Sequence, residues 1–228
     1  MGEQPLRITH QMKGLFITLE GTEGGGKSTQ AILLVERLRD WGRKVQMFRE
    51  PGGTPIGEEI RHTLKHSLAN AAMTAETELL LMNASRAQLV CEVIRPALAR
   101  GEVIVCDRFY DSTTAYQGYG RQLDLEMVRR VIDVAVGDTR PDLTLLLHVP
   151  AEVSAERLRS RQANLPFIRD RIEEADRAFF ERVERGYEAI AAAETKRVRK
   201  IDATGSVEQV QSAVWRAVAP LVATGHGA

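Results

Sequence analysis

The run Gly21-Thr22-Glu23-Gly24-Gly25-Gly26-Lys27-Ser28 is a full match to the pattern G-x-x-x-x-G-K-[ST], set between a short apolar run and a helical pattern. That spacing has a chemical reason. The glycines let the backbone wrap with its N–H groups turned inward, forming an anion nest at a helix N-terminus. Lys27 brings a cation to the β- and γ-phosphates of a bound ATP, the Ser28 hydroxyl can ligate Mg²⁺, and Thr29 completes the nucleotide-binding segment. A second metal ligand is expected from Asp107, which closes the apolar run VIVCD. The plainer reading of Asp107 is a cap on the next turn, and the phosphate loop upstream tips the balance to the metal.

Further chemistry lies downstream. Arg49 opens REPGGT, a cation followed by a Pro-Gly-Gly loop with exposed amides; an ordinary Pro-Gly turn has the same composition. Arg86 ends Asn83-Ala84-Ser85-Arg86 inside a long helical pattern, where a lone arginine is ordinarily solvated. Asp107-Arg108-Phe109 leads into DSTTAYQG, read as a loop. It supplies the hydroxyls of Thr113 and Thr114, the Tyr116 ring and the Gln117 amide, a set suited to a ligand with a sugar and a base edge.

Side chains so far apart in sequence need a scaffold that gathers them. Short apolar runs at Leu15–Leu19, Val45–Phe48, Val103–Cys106, Leu143–Val149 and Val198–Ile201 read as strands. Most show little alternation, as strands covered on both faces do. Helical patterns span Ser28–Asp40, Glu76–Arg100, Asp124–Val136, Ala151–Arg161, Ile172–Ala193 and Val207–Leu221. The alternation predicts the α/β class: a P-loop NTPase fold with a five-stranded parallel sheet and helices on both faces. Ligands of such folds bind beyond the carboxyl ends of the strands, where the unusual residues sit. Residues 1–12 are expected to be a loose leader, and residues 13–228 one domain.

The formal net charge of zero gives no global field for a nucleic-acid polymer or an anionic membrane. Cys91 and Cys106 lie in apolar stretches and read as two buried thiols in a reduced compartment. With no signal peptide or membrane-spanning run, a cytoplasmic protein is expected.

The phosphate loop leaves a GTPase switch, a motor or a small-molecule kinase open. None of Asn70, Asn83 and Asn164 is followed by Lys, so the Asn-Lys-x-Asp segment of GTPases is missing, and the chain is short for most motors. A kinase remains. The segments GTEGGGKST, REPGGT, ASRAQLV, DRF with TTAYQG, RPDLTLLLHV and DRIE, in this order, resemble the bacterial thymidylate kinases over nearly the whole chain. The resemblance implies transfer of the γ-phosphoryl group of ATP to dTMP, with Mg²⁺, by a homodimer joined through the long helices around 76–100 and 124–136. It implies that Glu23 lies near the acceptor 3′-hydroxyl, that Arg49 and Arg108 hold the acceptor phosphate, and that Arg86 reaches the thymine edge. Thr113 and Gln117 would lie toward the base, and Tyr116 under the deoxyribose. Met82 stands where the family usually has a Phe stacked on thymine. A kinase of another nucleotide or nucleoside, or a nucleotide-dependent switch, is the alternative.

The segment ERLRSRQANLPFIRDRIE, about 157–172, carries Arg157, Arg159, Arg161, Arg169 and Arg171, with Pro166 interrupting the helix. Such a charge run is ordinarily a solvated face. The phosphate loop has no arginine between Glu23 and Lys27, so the chain resembles the family members that carry the catalytic arginine in a lid. Arg161 is then the candidate catalytic cation beside Lys27, Arg108 and Glu23.

Overall fold

The computed structural model describes residues 14–163, 171–172 and 175–223. Five strands, β1 (Leu15–Glu20), β2 (Val45–Arg49), β3 (Val103–Asp107), β4 (Leu143–His148) and β5 (Val198–Asp202), pair in parallel in the order β2-β3-β1-β4-β5. The three central strands are almost wholly buried because helices cover both faces; the edge strands are exposed in part. Each expected strand is present.

The period of two along β1 divides the molecule. Leu15, Ile17 and Leu19 enter one core with Leu34 and Leu38 of α1 (Lys27–Asp40) and Val214 and Val218 of α9 (Val207–Ala223). Phe16 faces the other way, into a core with Leu79 and Leu89 of α3 (Ala75–Leu89) and Val128 and Ile132 of α6 (Leu125–Val136). Burying a side chain of this size contributes roughly 1.5–3 kcal/mol. Thr18 and Glu20 follow Phe16 on the second face, so that face turns polar toward the carboxyl end of the sheet.

Several expectations need correction. The helix expected over Glu76–Arg100 is α3, a π-helical turn at Val90–Ile94, and α4 (Arg95–Ala99), end to end. DSTTAYQG is not a loop: Tyr110–Thr113 form α5, and Thr114–Gly120 continue as π-helix, because Tyr110, Thr113, Tyr116 and Gln117 bury one face. The helix expected from Ile172 begins at Arg177, after the Asp176 carboxylate caps the Phe179 N–H; this is α8 (Arg177–Ala193). A helix was missed at α2 (Pro55–Lys65), whose first turn is capped by Thr54 accepting from the Gly57 N–H at 3.0 Å. Cys106 is buried as expected, but Cys91 is exposed, since successive helix positions face different ways. The leader at residues 1–12 lies outside the described residues, as do 164–170 of the lid, including Arg169.

Candidate active site

The phosphate loop follows β1 and runs into α1. Gly21 has φ +131, and a Cβ there would sit 2.2 Å from the Leu147 carbonyl oxygen, so no side chain fits. The N-cap Gly26 is left-handed at φ 84; α1 has neither a side-chain cap nor an acidic residue in its first turn. Its first N–H groups and positive dipole end are therefore left for an anion. Lys27 curls back, donating from Nζ to the Gly21 and Thr22 carbonyl oxygens at 3.0 and 2.8 Å. Burial, with the neighbouring Arg108 charge, pulls its ammonium down to about 8. Ser28 donates from Oγ to Asp107 Oδ2 at 2.5 Å, so the two expected metal ligands meet through hard oxygens.

A cleft of about 520 Å³ opens over this loop at the carboxyl ends of β1, β2 and β3, and it gathers nearly every residue singled out in the sequence. Arg108, at φ 71, turns back over the phosphate loop. Its Nη1 donates to Gly21 O, Ser112 Oγ and Tyr187 Oη at 3.0, 3.0 and 3.1 Å; Nη2 donates to Glu23 Oε1 at 2.6 Å and Tyr116 Oη at 3.2 Å. The guanidinium also lies 5.0 Å from the centre of the Tyr116 ring, so that ring forms one wall of the cation's site.

Arg86 is not solvated. It is 2% exposed, and its donors are engaged by Glu50 Oε2, Asn83 Oδ1, Thr113 Oγ1 and the Phe109 carbonyl. Burial pushes the Glu50 carboxyl up against the opposing pull of Arg86. Gln117, which lines the cleft, donates from Nε2 to Glu78 Oε1 at 2.7 Å. Burial alone would raise the Glu78 carboxyl, but Arg121, Gln117 and Arg171 together hold it below the usual range. Met82 is buried in the cleft wall with Tyr116.

Arg49 ends β2 with its side chain half exposed and paired to Glu58 Oε2 at 3.1 Å. The amides expected to be exposed in REPGGT are engaged instead: Gly52 N–H donates to Ser85 Oγ at 3.0 Å and Gly53 N–H to Glu58 Oε1 at 2.9 Å. Helix α7 (Ala151–Ala163) carries Arg157, which lines the cleft and donates to the Ala203 carbonyl at 3.0 Å. Arg159 is exposed. Arg161 occupies the helix position one turn beyond Arg157; its side chain lies outside the described residues.

Sequence reasoning missed Arg61 and Lys65, which line the cleft from α2, and Glu20, Ser112 and Tyr187, which surround Arg108. The Thr54-Pro55 start with Glu58 in the first turn was the available signal for α2. Nothing local marks Glu20 or Tyr187.

A family profile described as thymidylate kinase matches residues 19–214. The thymidylate kinase of Alcanivorax borkumensis is 49% identical over 207 residues, covering 91% of this chain and 97% of its own length. That of Pseudomonas syringae pv. tomato is 47% identical over 216 residues, covering 95% and 100%. A crystal structure of thymidylate kinase from Ehrlichia chaffeensis is similar with a TM-score of 0.72 at 30% identity, covering 91% of this chain and 99% of that one.

Proposed function

Since the chain belongs to the thymidylate kinase family, we propose that its cleft seats the triphosphate of ATP over the phosphate loop and dTMP against the wall formed by α3, α5 and the π-helical turn after it. The enzyme transfers the γ-phosphoryl group of ATP to dTMP, giving ADP and dTDP for dTTP synthesis. One observation carries the division of labour: Lys27 Nζ and Arg108 Nη1 both donate to the Gly21 carbonyl oxygen, each at 3.0 Å. The cation for the donor phosphates and the cation for the acceptor phosphate are thereby fixed on one atom, side by side.

The acceptor phosphate is already a competent nucleophile, so the protein has to align, neutralise and exclude water rather than supply a strong base. Lys27 neutralises the β- and γ-phosphates. Arg108 and the exchangeable Arg49 hold the acceptor phosphate, and a planar fork suits both. The pairing of Glu23 with Arg108 supports a role for it at the acceptor 3′-hydroxyl, and the Tyr116 ring beside the same guanidinium supports a role as the wall against which a ribose 2′-hydroxyl would clash. Thr113, Gln117 and Arg86 form the base side over Met82. Ser28 and Asp107, whose oxygens meet, would hold Mg²⁺, which would supply charge neutralisation to the donor phosphates. Arg161 is the proposed lid cation; Arg161→Ala is expected to lower kcat roughly 10²–10⁴-fold, the lower part of the range for arginine fingers reduced for partial rescue by Arg159, with little change in the KM for dTMP. A defect confined to dTMP binding would shift that role to Arg157 or Arg159.

The lid, about 157–172, and the rest of residues 13–228 are taken as one domain. Exposed Leu80, Met127 and Val134 lie on α3 and α6, which pack together and would form the homodimer face. Among the described residues no helix is long and apolar enough to cross a membrane, and we place the enzyme in the cytoplasm. The test is ADP formation with ATP alone and with dTMP, UMP or thymidine. dTMP-dependent turnover is expected; turnover with thymidine in its place would indicate a nucleoside kinase, and ATP binding without acceptor-dependent turnover a switch.

A further inference from the structure

We propose that Glu20 is a positioning residue for phosphoryl transfer: acting through Ser112 and Tyr187, its carboxylate holds the Arg108 guanidinium in the orientation that receives the acceptor phosphate. This rests on the assignment of Arg108 to that phosphate. Glu20 is the last residue of β1, wholly buried, and it makes no contact with the cleft itself. Its Oε1 accepts the Phe109 N–H at 2.7 Å, one residue beyond Arg108. Its Oε2 accepts from Ser112 Oγ at 2.6 Å and from Tyr187 Oη at 3.1 Å. Those are the hydroxyls to which Arg108 Nη1 donates. One carboxylate therefore fixes Arg108 twice, at the main chain beside a left-handed φ of 71 and at the side chain.

The chemistry requires an acceptor at both oxygens. A guanidinium only donates, so Ser112 and Tyr187 must turn lone pairs toward it and spend their own protons elsewhere. Glu20 Oε2 lies within hydrogen-bond reach of both hydroxyls, which are also 2.9 Å from each other, and it is the acceptor on which the pair discharges its protons. A glutamine at this position would keep its carbonyl oxygen on the Phe109 N–H and turn its NH₂ toward the two hydroxyls. The hydroxyls would then have to accept from it, and since only one proton can pass between them across their 2.9 Å contact, at least one would be left with no acceptor beside the Arg108 cation. The shape is conserved and the polarity of the relay is reversed. Tyr187 matters for a second reason, since α8 reaches Arg108 through its hydroxyl.

Glu20→Gln is expected to raise the KM for dTMP about tenfold to a hundredfold, the span for losing a hydrogen bond to a charged group, while the KM for ATP moves little. In an Arg108→Lys background, which lacks the fork, the same substitution should add little further, because both changes break one interaction. Tyr187→Phe keeps the ring and removes one arm, and is expected to raise the KM for dTMP several-fold, again masked by Arg108→Lys. Should Glu20→Gln not fold, the Tyr187→Phe pair of measurements decides. An unchanged KM for dTMP in a folded Glu20→Gln or in Tyr187→Phe, an equal rise in both KM values, or additive losses with Arg108→Lys would each overturn the proposal. If Arg108→Ala leaves the KM for dTMP untouched, the underlying assignment of Arg108 has failed instead.

Discussion

The two sides of the cleft are built on opposite plans. The proposed donor side is eight consecutive residues whose candidate binding groups are mostly backbone N–H, with one cation and an uncapped helix start. The proposed acceptor side is assembled from side chains on β1, β2, α3, α5, the π-helical turn after it and α8, and its guanidiniums are partnered within the protein: Arg108 by Glu23, Arg86 by Glu50, Arg49 by Glu58. A backbone cradle is fixed by the fold of one short segment and tolerates little change. A side-chain wall is preorganised by ion pairs, and its members differ in how tightly each is held, from fully buried Arg86 to half-exposed Arg49. Substitutions on the two sides should therefore differ in kind as well as in size.

The largest effect is expected on the donor side. Lys27→Ala should lower kcat about 10²–10³-fold, the range for losing one preorganised group that stabilises developing charge. The KM for dTMP should stay near its original value, since the acceptor wall does not depend on the ammonium. Steady-state kinetics with dTMP varied at saturating ATP makes the measurement. Equal losses in kcat and in dTMP affinity would break the contrast, because the two sides would then act as one unit.

A smaller effect is expected from the carboxylate that supports the wall. Burial, together with the Asp111 charge, pushes Glu20 up from 4.5 to about 7. A carboxyl raised in this way binds its proton more tightly folded than unfolded. Its contribution to stability is therefore complete below pH 4.5 and is lost as the pH rises through 7. Relative to Glu20→Gln, the free enzyme should lose on the order of 2–3 kcal/mol between pH 4.5 and 8, read from chemical denaturation at a series of pH values. Lys27 stays protonated through most of that window, with its ammonium pulled down only to about 8, so the donor side contributes little slope there. A flat difference between the two proteins would show that Glu20 keeps its charge at no cost, stabilised by its three donors.

The same contrast explains what could be read from the sequence. The donor side was legible because its chemistry is contiguous: Gly21 to Ser28 carry motif, turn and helix start together. The five strands were legible for a similar reason, as short apolar runs. The residues proposed for the acceptor side are visible in the sequence as types, but not in their state. Arg86 looked like a solvated helical arginine because its partners Glu50 and Thr113 lie 36 and 27 residues away. Glu20 and Tyr187 are 167 residues apart, and neither carries a local signal for the hydrogen bond between them. DSTTAYQG was misread as a loop because its β-branched and hydroxyl residues disfavour helix, and the burial of Thr113, Tyr116 and Gln117 overrides that preference.

The smallest effect is expected at Arg49, and it tests whether the wall is graded. Arg49 and Glu58 are each about half exposed, at 50% and 46%, and such a pair contributes only about 0–1 kcal/mol in water. Breaking it to bind a phosphate therefore costs little, and Arg61 and Lys65 add further cations to the lining of the same cleft. Arg49→Ala is thus expected to raise the KM for dTMP about three- to tenfold, roughly 1 kcal/mol, with kcat nearly unchanged, as for an interaction made equally in ground and transition states. Arg49→Lys should recover part of the loss, since a point charge replaces the fork but not its two parallel bonds. Raising the ionic strength should narrow the gap between wild type and Arg49→Ala, because exposed charges are screened within about 10 Å at 0.1 M salt. The corresponding loss in Arg108→Ala, whose guanidinium is largely buried, should persist at high salt. If the two variants lose affinity equally and with the same salt dependence, burial does not grade the wall, and Arg49 is held as firmly in the complex as Arg108.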